Sequence, residues 1–501
     1  MKTMGLRHTI VAMTAAATVM TAPLTHATNG YFKIGYGAKN RGLAGVGMAY
    51  GQDSLAAAIN PAALAGMGDR VDAGVELFSP LREATVDARG LSAPDFGAGA
   101  LSGAEAHAAS DANLFAIPNF GLAWNSGRVT LGLAVVANGG MNTRYSENLF
   151  FNSVAPVIGQ SSNNSFPTPP LPPGPSGFAG LLENGFGVSA NSIDAAMGQL
   201  LSAPGLNSTL GVNLEQALIT PTLAWQMTDH QSLGVSPIIG YQRFRAYGLG
   251  IFTAFSSKPT HVTNQGDDDA WGYGGRIGYK GTFGPLSIGA SATSKIYMSK
   301  FSKYSGLFAE QGDFDIPATY GAGIALAVTP KLHIGFDVSR ILYGDVAAIS
   351  NNGPTANEFL SAFAYALSQG TAPGTSIASP LGTNKGWGFG WKDMTIYKAG
   401  VDYAYNSHWT FRAGFNYSKA PYDSDQALFN VLAPAVVEKH ATVGFTYAPS
   451  DASEFTVTYM HAFRNTVDNT YQGSGPFTGF SYSARNGMQQ NALEVSYGMR
   501  F

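Results

Sequence analysis

Residues 491–501 read NALEVSYGMRF and alternate strictly between two kinds of side chain. The apolar members are Leu493, Val495, Tyr497, Met499 and Phe501, and the residues between them are polar or small. Successive side chains of a β-strand point to opposite faces, so one face of this strand is apolar along its whole length. A strand of a membrane β-barrel has this pattern, with lipid outside and a polar lumen inside.

The same alternation recurs upstream, for example at 286–298, 331–338 and 409–417. Short turn sequences such as Asn406-Ser407-His408 join these stretches into hairpins, and long stretches lie between the hairpins. Outer-membrane barrels have short turns at one end and long loops at the other. The sequence therefore predicts an all-β fold, a transmembrane antiparallel β-barrel of about 14 strands in residues 70–501, with long extracellular loops near 139–214 and 344–390. The predicted strands are 70–80, 113–124, 128–138, 215–227, 231–257, 267–283, 286–298, 313–328, 331–343, 391–405, 409–417, 439–448, 454–463 and 489–501.

The composition limits the classes of function. Charged residues make up 12% of the 501 residues, about half the usual globular share, and the formal net charge is -3. This balance argues against a cytosolic enzyme surface and against nucleic-acid binding. The chain has no cysteine, which excludes disulfides and thiolate metal sites. It also lacks the usual nucleophile, dinucleotide, phosphate-loop and zinc-protease motifs, so we predict no enzyme activity, no cofactor and no metal site.

Residues 1–27 have the three parts of a secretory signal peptide. Lys2 and Arg7 provide the positive start, an apolar stretch follows, and Thr25-His26-Ala27 forms a small-residue cleavage site. A first transmembrane helix is the alternative, but Thr and Ala dilute the apolar run. Beyond residue 27 no apolar stretch is long enough for a helical span, so a mature chain in a membrane must be a closed barrel.

Residues 28–69 do not alternate and are rich in glycine. They include a short helix-like stretch at 54–59, followed by Asn60-Pro61-Ala62. A compact plug inside the lumen fits this composition, and a disordered arm is the alternative. Apolar residues such as Tyr31, Phe32 and Leu55 favour the plug, because they are too apolar to stay solvated.

Part of this segment resembles a known family. Residues 41–50 read RGLAGVGMAY and are followed by Asp53 and by Asn60-Pro61-Ala62. This arrangement resembles the N-terminal hatch of the outer-membrane long-chain fatty acid transport family, the FadL-type channels, which include aromatic-hydrocarbon uptake members. Asn60-Pro61-Ala62 matches the short hatch motif of that family, and the motif identifies the family and not the substrate.

The resemblance implies an outer-membrane channel for passive uptake of hydrophobic molecules, with long-chain fatty acids in first place. Its substrate would pass an apolar groove between extracellular loops, a pocket in the lumen, and then a hatch that rearranges or an opening in the wall. Uptake of monoaromatic hydrocarbons is the alternative within the family. A general diffusion porin is the competitor from a different class, and an outer-membrane lipid-modifying enzyme is the third hypothesis.

Two long loops carry the candidate contacts with a hydrophobic substrate. The first loop contains Phe150, Phe151 and Leu181, and the second contains Phe359 and Phe363. Loops in water gain nothing from exposing so many apolar groups unless these pack together or contact a ligand. A ligand groove and a mutual packing core therefore both stay open.

A fatty acid also needs a cation for its carboxylate. Arg243 and Arg245 continue the parity of lipid-facing residues in the strand 231–257, where each arginine would cost about 2–4 kcal/mol at mid-membrane. A bulge near Tyr241–Gln242 would return both to the lumen, and the segment around Arg243 resembles the part of the fatty acid channels that supplies a carboxylate-binding arginine. The alternative is that both lie above the apolar band and pair with loop carboxylates. Further lumen candidates by parity are Arg276, Lys295, Lys398 and Arg412.

Phe501 ends the last alternating strand and resembles the signature by which barrel proteins are recognised for outer-membrane assembly. The expected location is the bacterial outer membrane. The expected partners are a hydrophobic small molecule, outer-membrane lipid and the barrel-assembly machinery, and no nucleic acid is expected.

Overall fold

The computed structural model describes residues 29–93, 101–163, 174–201, 205–206, 208–369, 377–475 and 478–501. Within these ranges fourteen long strands form one antiparallel sheet. The predicted signal peptide, residues 1–27, lies outside the described residues. The strands are β1 Arg70–Asp87, β2 Phe115–Ser126, β3 Val129–Tyr145, β4 Leu210–Thr228, β5 Gln231–Tyr247, β6 Asp268–Phe283, β7 Leu286–Thr293, β8 Thr319–Thr329, β9 Leu332–Ile341, β10 Met394–Ala404, β11 Trp409–Ser418, β12 Lys439–Ser450, β13 Ser453–Gln472 and β14 Ser481–Arg500.

The sheet closes into a barrel. Each strand pairs with the next one along the chain, and β14 pairs with β1 without a break from Arg70↔Arg500 to Asp87↔Ser483. The prediction of a closed antiparallel barrel with fourteen strands is therefore confirmed. The observed and the predicted strand ends differ most in β5, which is predicted to reach residue 257 but ends at Tyr247. Gly248 follows with a φ of 75°, a left-handed conformation that favours glycine and turns the chain.

Burial alternates along the strands and separates an inward from an outward face. In β14, Leu493 and Val495 are 40% and 42% exposed, whereas Glu494 between them is fully buried. Outward aromatic side chains occur near both ends of the apolar band, with Trp409 beside the short turns and Trp271 towards the long loops. Aromatic girdles of this kind mark the two membrane interfaces of a barrel.

Helices occur before the barrel and in the long loops. Among the described residues none of them combines the length and the apolar character needed to cross a bilayer. The α-helices are Ala38–Gly42, Leu149–Ile158, Gly177–Gly180, Ala190–Leu201, Gly250–Thr253, Ala309–Gly312, Ala347–Ser350 and Ala356–Gln369, with a π-helical turn at Leu181–Gly185. The 3-10 helices are Ser54–Ala58, Pro61–Leu64, Pro259–His261, Ser302–Tyr304, Tyr343–Asp345, Ser424–Gln426 and Phe429–Val431. Short accessory strands lie at Ser92–Ala93, Leu101–Ser102, Glu105–Ala109 and Tyr297–Met298.

The N-terminal segment, residues 29–69, packs against the inward face of the barrel. Side chains of β13, β12 and β5 donate hydrogen bonds to its backbone carbonyls. Its apolar side chains Leu55 and Leu64 are buried. The contacts run from Thr458 to Ala38, from Thr442 to Gly42 and from Ser232 to Ala62, at 2.7, 3.0 and 3.0 Å.

The hydrogen-bond ladder around the wall is interrupted between β2 and β3. The pairing of β2 with β3 stops at Phe120↔Val135. On its other side, β3 shifts register against β4 between Ala137 and Gly139. The N-terminal segment covers this edge, because Phe32 forms a bridge to Gly139. The N-terminal segment thus forms part of the barrel wall near Phe32.

A second interruption lies between β7 and β8. Regular pairing stops at Thr293↔Thr319, and beyond it there is the isolated bridge Ile296↔Ile316. Pro317 lies within the interruption, and proline has no N–H with which to continue a ladder.

Candidate substrate-binding site

An apolar cavity, here called the upper cavity, lies where the inward faces of β3, β4 and β5 meet the extracellular loops. Its volume is about 40 Å³, and none of its described lining residues is charged. A concave, mostly apolar lining of this kind suits a small hydrophobic ligand. The wall consists of Met141, Val212, Phe244, Leu249, Phe252, Leu307, Phe308, Ala348, Leu381, Trp387, Gly388, Phe389, Phe429 and Leu432.

Phe150, a predicted contact, lies behind this wall. It belongs to the helix Leu149–Ile158, is 5% exposed, and packs edge-on against Phe252 with ring centroids 5.0 Å apart. Phe252 packs in the same way against Phe429 at 5.2 Å, and both of these rings line the upper cavity. Packing between loops therefore shapes the cavity wall. A ligand groove and a mutual packing core, the two alternatives for these aromatic groups, are thus compatible.

The other predicted loop residues lie further from the cavity or outside the described side chains. Phe151 and Leu181 are half-buried and are not among the residues of the cavity wall. Phe359 and Phe363 belong to the helix Ala356–Gln369, but their side chains lie outside the described residues.

A second cavity, here called the lower cavity, lies deeper in the lumen between the N-terminal segment and the inward faces of mainly β6 to β10. Its volume is about 90 Å³. Its charged lining residues are the cations Lys33, Arg276, Arg340 and Lys398, and none of the described lining residues is Asp or Glu. The lower cavity thus favours an anionic ligand.

Three of these four cations have a carboxylate nearby. Lys33 Nζ lies 2.5 Å from Glu76 Oε2, and Arg340 Nη2 lies 3.2 Å from Asp393 Oδ2. Lys398 faces Asp337 directly across the β9–β10 pairing. Their charges are therefore at least partly balanced within the protein.

Arg276 differs, because its hydrogen-bond acceptors are neutral. Its guanidinium donates to Thr293 Oγ1 at 2.8 Å and to the Ala57 carbonyl at 3.2 Å, and it is 7% exposed. In the described part of the chain no carboxylate lies within ion-pair distance of it. Burial raises the pKa of Tyr36 in the same cavity to about 12, and the positive charge of Arg276 opposes this rise. A buried cation without a counter-ion is costly, so the arrangement is suited to receive an anion.

Aromatic rings separate the two cavities. Phe308 of the upper cavity contacts Phe314 with centroids 4.8 Å apart, Phe314 contacts Tyr31 at 6.4 Å, and Tyr31 contacts Phe32 of the lower cavity at 5.2 Å. Tyr343 fixes the N-terminal part of this layer, since its hydroxyl donates to Asn29 O and accepts from Tyr31 N. Tyr31 and Phe32 belong to the N-terminal segment, so this segment forms part of the layer between the cavities.

Asn60 connects the other end of the N-terminal segment to the wall. Its Oδ1 accepts a hydrogen bond from Ala62 N and begins the 3-10 helix Pro61–Leu64. Its Nδ2 donates to Met48 O at 2.7 Å and to Tyr279 O of β6 at 2.9 Å. A Cβ at Gly278 would lie 2.0 Å from Asn60 Oδ1, so this close approach requires glycine in the wall.

Comparison with known proteins decides the family. The family model described as outer membrane protein transport protein (OMPP1/FadL/TodX) matches residues 185–501, more than half of the chain. The chain belongs to this family. Its members are transport proteins of the bacterial outer membrane, and this FadL/TodX-type chain is an outer-membrane channel for hydrophobic substrates.

Solved structures of low sequence identity show the same fold. The toluene transporter TodX of Pseudomonas putida has a TM-score of 0.57 at 16% identity, covering 93% of this chain and 99% of that chain. The toluene transporter TbuX of Ralstonia pickettii has a TM-score of 0.54 at 17% identity, covering 93% and 99%. A FadL homologue of Pseudomonas aeruginosa has a TM-score of 0.58 at 15% identity, covering 94% and 100%. A search of the curated proteins gave no match.

In this FadL/TodX-type channel the predicted bulge near Tyr241–Gln242 is wrong. Strand β5 pairs with β4 without a register shift from Ile239↔Ile219 to Tyr247↔Gly211, so Arg243 and Arg245 stay on the outward face. Arg243 Nε lies 3.0 Å from Asp269 Oδ1, and Arg245 Nε lies 3.0 Å from Asp267 Oδ1. Pairing with carboxylates outside the lumen, the alternative, agrees with this geometry.

Parity in the strands identifies the cations of the lower cavity better than the resemblance does. Arg276 and Lys398 line the cavity, as expected of lumen candidates. Lys295 pairs instead with Asp315 at 3.2 Å, and Arg412 pairs with Asp402 at 2.9 Å.

The aromatic wall of the upper cavity was not predicted. Residues 386–391 read GWGFGW, and the alternation of glycine with large rings is a signal that could have found Trp387 and Phe389. Phe244 and Phe429 carry no such local signal, because the chain brings them together from distant positions.

Proposed function

We propose that this channel takes up long-chain fatty acids and that Arg276 binds their carboxylate in the lower cavity. The observation that carries the proposal is the buried guanidinium of Arg276, which faces the cavity with only neutral acceptors among the described residues. Hydrogen bonds to charged groups contribute about 1.5–3 kcal/mol, which is enough to select an acid over an uncharged ligand. Arg243 and Arg245 face outward, so Arg276 takes the carboxylate-binding role that the sequence suggested for them.

The acyl chain would be received by the apolar upper cavity. Burial of each methylene group contributes about 0.8 kcal/mol, so a long chain can bind there without any polar contact. In this proposal Phe150 and Phe151 support the cavity from the first long loop, together with Leu181. Phe359 and Phe363 are proposed to contribute from the second.

Passage between the cavities would require the N-terminal segment to act as a hatch. Tyr31 and Phe32 stand in the aromatic layer, and Asn60-Pro61-Ala62 forms the contact with β5 and β6 at the other end. The hatch would release this contact and shift the aromatic layer when substrate occupies the upper cavity. The terminal strand ending at Phe501 is proposed to direct assembly into the membrane by the barrel-assembly machinery.

Uptake of a monoaromatic hydrocarbon is the second candidate function. The ring-lined wall of the upper cavity, with Phe252, Phe308 and Trp387, favours it because aromatic rings pack well in edge-to-face contacts. Such a ligand has no charge and would not need Arg276.

The test compares a fatty acid with an alcohol that differs from it only in the head group, and with an aromatic hydrocarbon. Purified Arg276→Gln protein is titrated with hexadecanoate, hexadecanol and toluene. We expect the affinity for hexadecanoate to fall about tenfold or more, which corresponds to about 1.4 kcal/mol, while the other two affinities stay the same.

Arg243→Gln is the matched control, since it removes an arginine on the outward face. It should leave all three affinities unchanged. Equal losses for hexadecanoate and hexadecanol in Arg276→Gln would mean that Arg276 only shapes the cavity. Tight toluene binding together with no effect of the variant on hexadecanoate would favour the second candidate function.

A further inference from the structure

A polar pocket lies on the outward face of the barrel, at the extracellular ends of β3, β4 and β5. It has a volume of about 740 Å³ and is open to one side, and none of its described lining residues is Asp or Glu. We call it the rim pocket. Its polar lining residues include Arg144, Ser208, Thr209, Asn213, Arg245 and Asn264.

Strand register explains why these groups come together. Arg144 of β3 is opposite Gly211 of β4, which in turn is opposite Tyr247 of β5. The ring of Tyr247 reaches across Gly211, and its hydroxyl donates to Thr143 O at 2.6 Å. One row below, Asn213 is opposite Arg245. The two arginines therefore flank the same tyrosine.

The rim pocket carries positive charge that the protein balances only in part. Arg245 Nε lies 3.0 Å from Asp267 Oδ1, and its side chain is still 48% exposed. Arg144 is exposed, and in the described part of the chain no carboxylate lies within ion-pair distance of it.

The height of the rim pocket matches that of lipid head groups. Two to three rows below it on the same outward face is the aromatic pair Tyr241 and Trp271, whose tilted rings have centroids 4.9 Å apart. Ile239 and Val235 lie below these rings and are 45% and 51% exposed, as expected for lipid-facing residues. Aromatic girdles lie at the membrane interface, so the rim pocket lies at the level of the polar groups of the outer leaflet.

The rim pocket is separate from the transport path. Its arginines point outward, whereas the neighbouring Val212 and Phe244 point inward and line the upper cavity. A ligand of the rim pocket therefore approaches from the membrane surface and not through the lumen.

We propose that the rim pocket binds a phosphate group of an outer-leaflet glycolipid. Guanidinium groups bind phosphate through paired, charge-assisted hydrogen bonds, and Arg144 and Arg245 offer two such groups. Asn264 and Thr209 line the pocket beside them, whereas the Asn213 amide and the Ser208 hydroxyl already donate to Glu215 Oε1 and to Gly205 O. The open side of the pocket leaves room for the sugar to which the phosphate is attached.

The test measures glycolipid binding to the purified full chain in detergent micelles. The probes are a diphosphorylated hexa-acyl lipid A, the same glycolipid without phosphate, and inorganic phosphate. Bound glycolipid is counted by native mass spectrometry across a concentration series. The variants are the double substitution Arg144→Gln with Arg245→Gln and, as a control, Arg128→Gln, an exposed arginine at the opposite end of the barrel.

We expect the double variant to lose tenfold or more of its affinity for the diphosphorylated glycolipid, and the control to keep it. The phosphate-free glycolipid should bind equally weakly to all three proteins. An unchanged affinity in the double variant, with the barrel shown to be folded by circular dichroism, would overturn the proposal. Equal affinity for the glycolipid with and without phosphate would also overturn it, and inorganic phosphate binding as tightly as the glycolipid would assign the pocket to a soluble anion.

Discussion

Glu76 shows how single side chains hold the N-terminal segment in the lumen. Its carboxylate lies 2.5 Å from Lys33 Nζ and 2.7 Å from Arg41 Nη2, and all three side chains are at most 2% exposed. Arg41 also contacts Glu494 of β14 at 3.3 Å. Charges buried to this degree are stable only as a set, because each loses its hydration and depends on the others for compensation.

Replacing Glu76 with Gln should therefore destabilise the protein strongly. Lys33 would lose its carboxylate and Arg41 one of two, and breaking a buried pair on one side costs about 3–5 kcal/mol. The measurement is the free energy of unfolding in urea, combined with limited proteolysis of residues 29–69. Glu83→Gln is the control, since Glu83 pairs with Arg464 at a partly exposed site, where the expected cost is about 0–1 kcal/mol. Similar costs for both variants would show that the buried cluster does not hold the segment.

At the scale of elements, the strands could be predicted from the sequence and the cavities could not. A period of two residues is a local signal, so Leu493 and Val495 reveal the faces of β14 without reference to any other strand. The upper cavity depends on contacts such as Phe252 with Phe429, which are 5.2 Å apart in space and far apart in the chain. The prediction that Arg243 faces the lumen is also wrong. Parity alone placed it outward correctly, and the bulge that was expected to turn it inward has no counterpart in the strand register.

The proposed hatch movement can be tested by locking one element to another. Ser232 of β5 donates to Ala62 O at 3.0 Å, which places these two residues side by side, and a disulfide between cysteines at these positions would join the hatch to the wall. The chain has no cysteine of its own, which leaves no competing thiol. We expect the oxidised Ala62→Cys, Ser232→Cys protein to bind hexadecanoate only as well as the Arg276→Gln protein does, because the carboxylate no longer reaches Arg276, and to lose its uptake into cells. Reduction should restore both.

The control for this lock is a disulfide within the wall, Ala290→Cys with Ala322→Cys, which are opposite each other in β7 and β8. It should not change uptake in either redox state. Normal uptake by the oxidised hatch variant would mean that the lower contact of the hatch stays closed during transport. The interruption of the wall between β7 and β8, or that between β2 and β3, would then be the better exit.

At the scale of the whole molecule, the barrel wall is taller than its apolar band. The sequence predicts strands at 454–463 and 489–501, where outward residues are mostly apolar, but β13 and β14 continue to Gln472 and back from Ser481. Their upper outward residues are polar, so the alternation of apolar and polar types disappears although the pairing does not. The paired wall therefore continues beyond the level at which its outward face is apolar.

This arrangement predicts that the cost of an outward charge depends on its height along one strand. Val495 lies beside Val457 and Val75 on the outward face of β14, within the apolar band, whereas Ser483 lies on the same face beside Thr470 and Asp87. A lysine facing the middle of the bilayer costs about 2–4 kcal/mol, and one near the interface costs about 0–1 kcal/mol. Val495→Lys should therefore lower the free energy of unfolding in lipid vesicles by the larger amount, and Ser483→Lys by the smaller one. A large cost at both positions would mean that the membrane reaches the top of the wall, where neither the rim pocket nor the upper cavity could meet water. No cost at either position would mean that this face of β14 does not contact lipid.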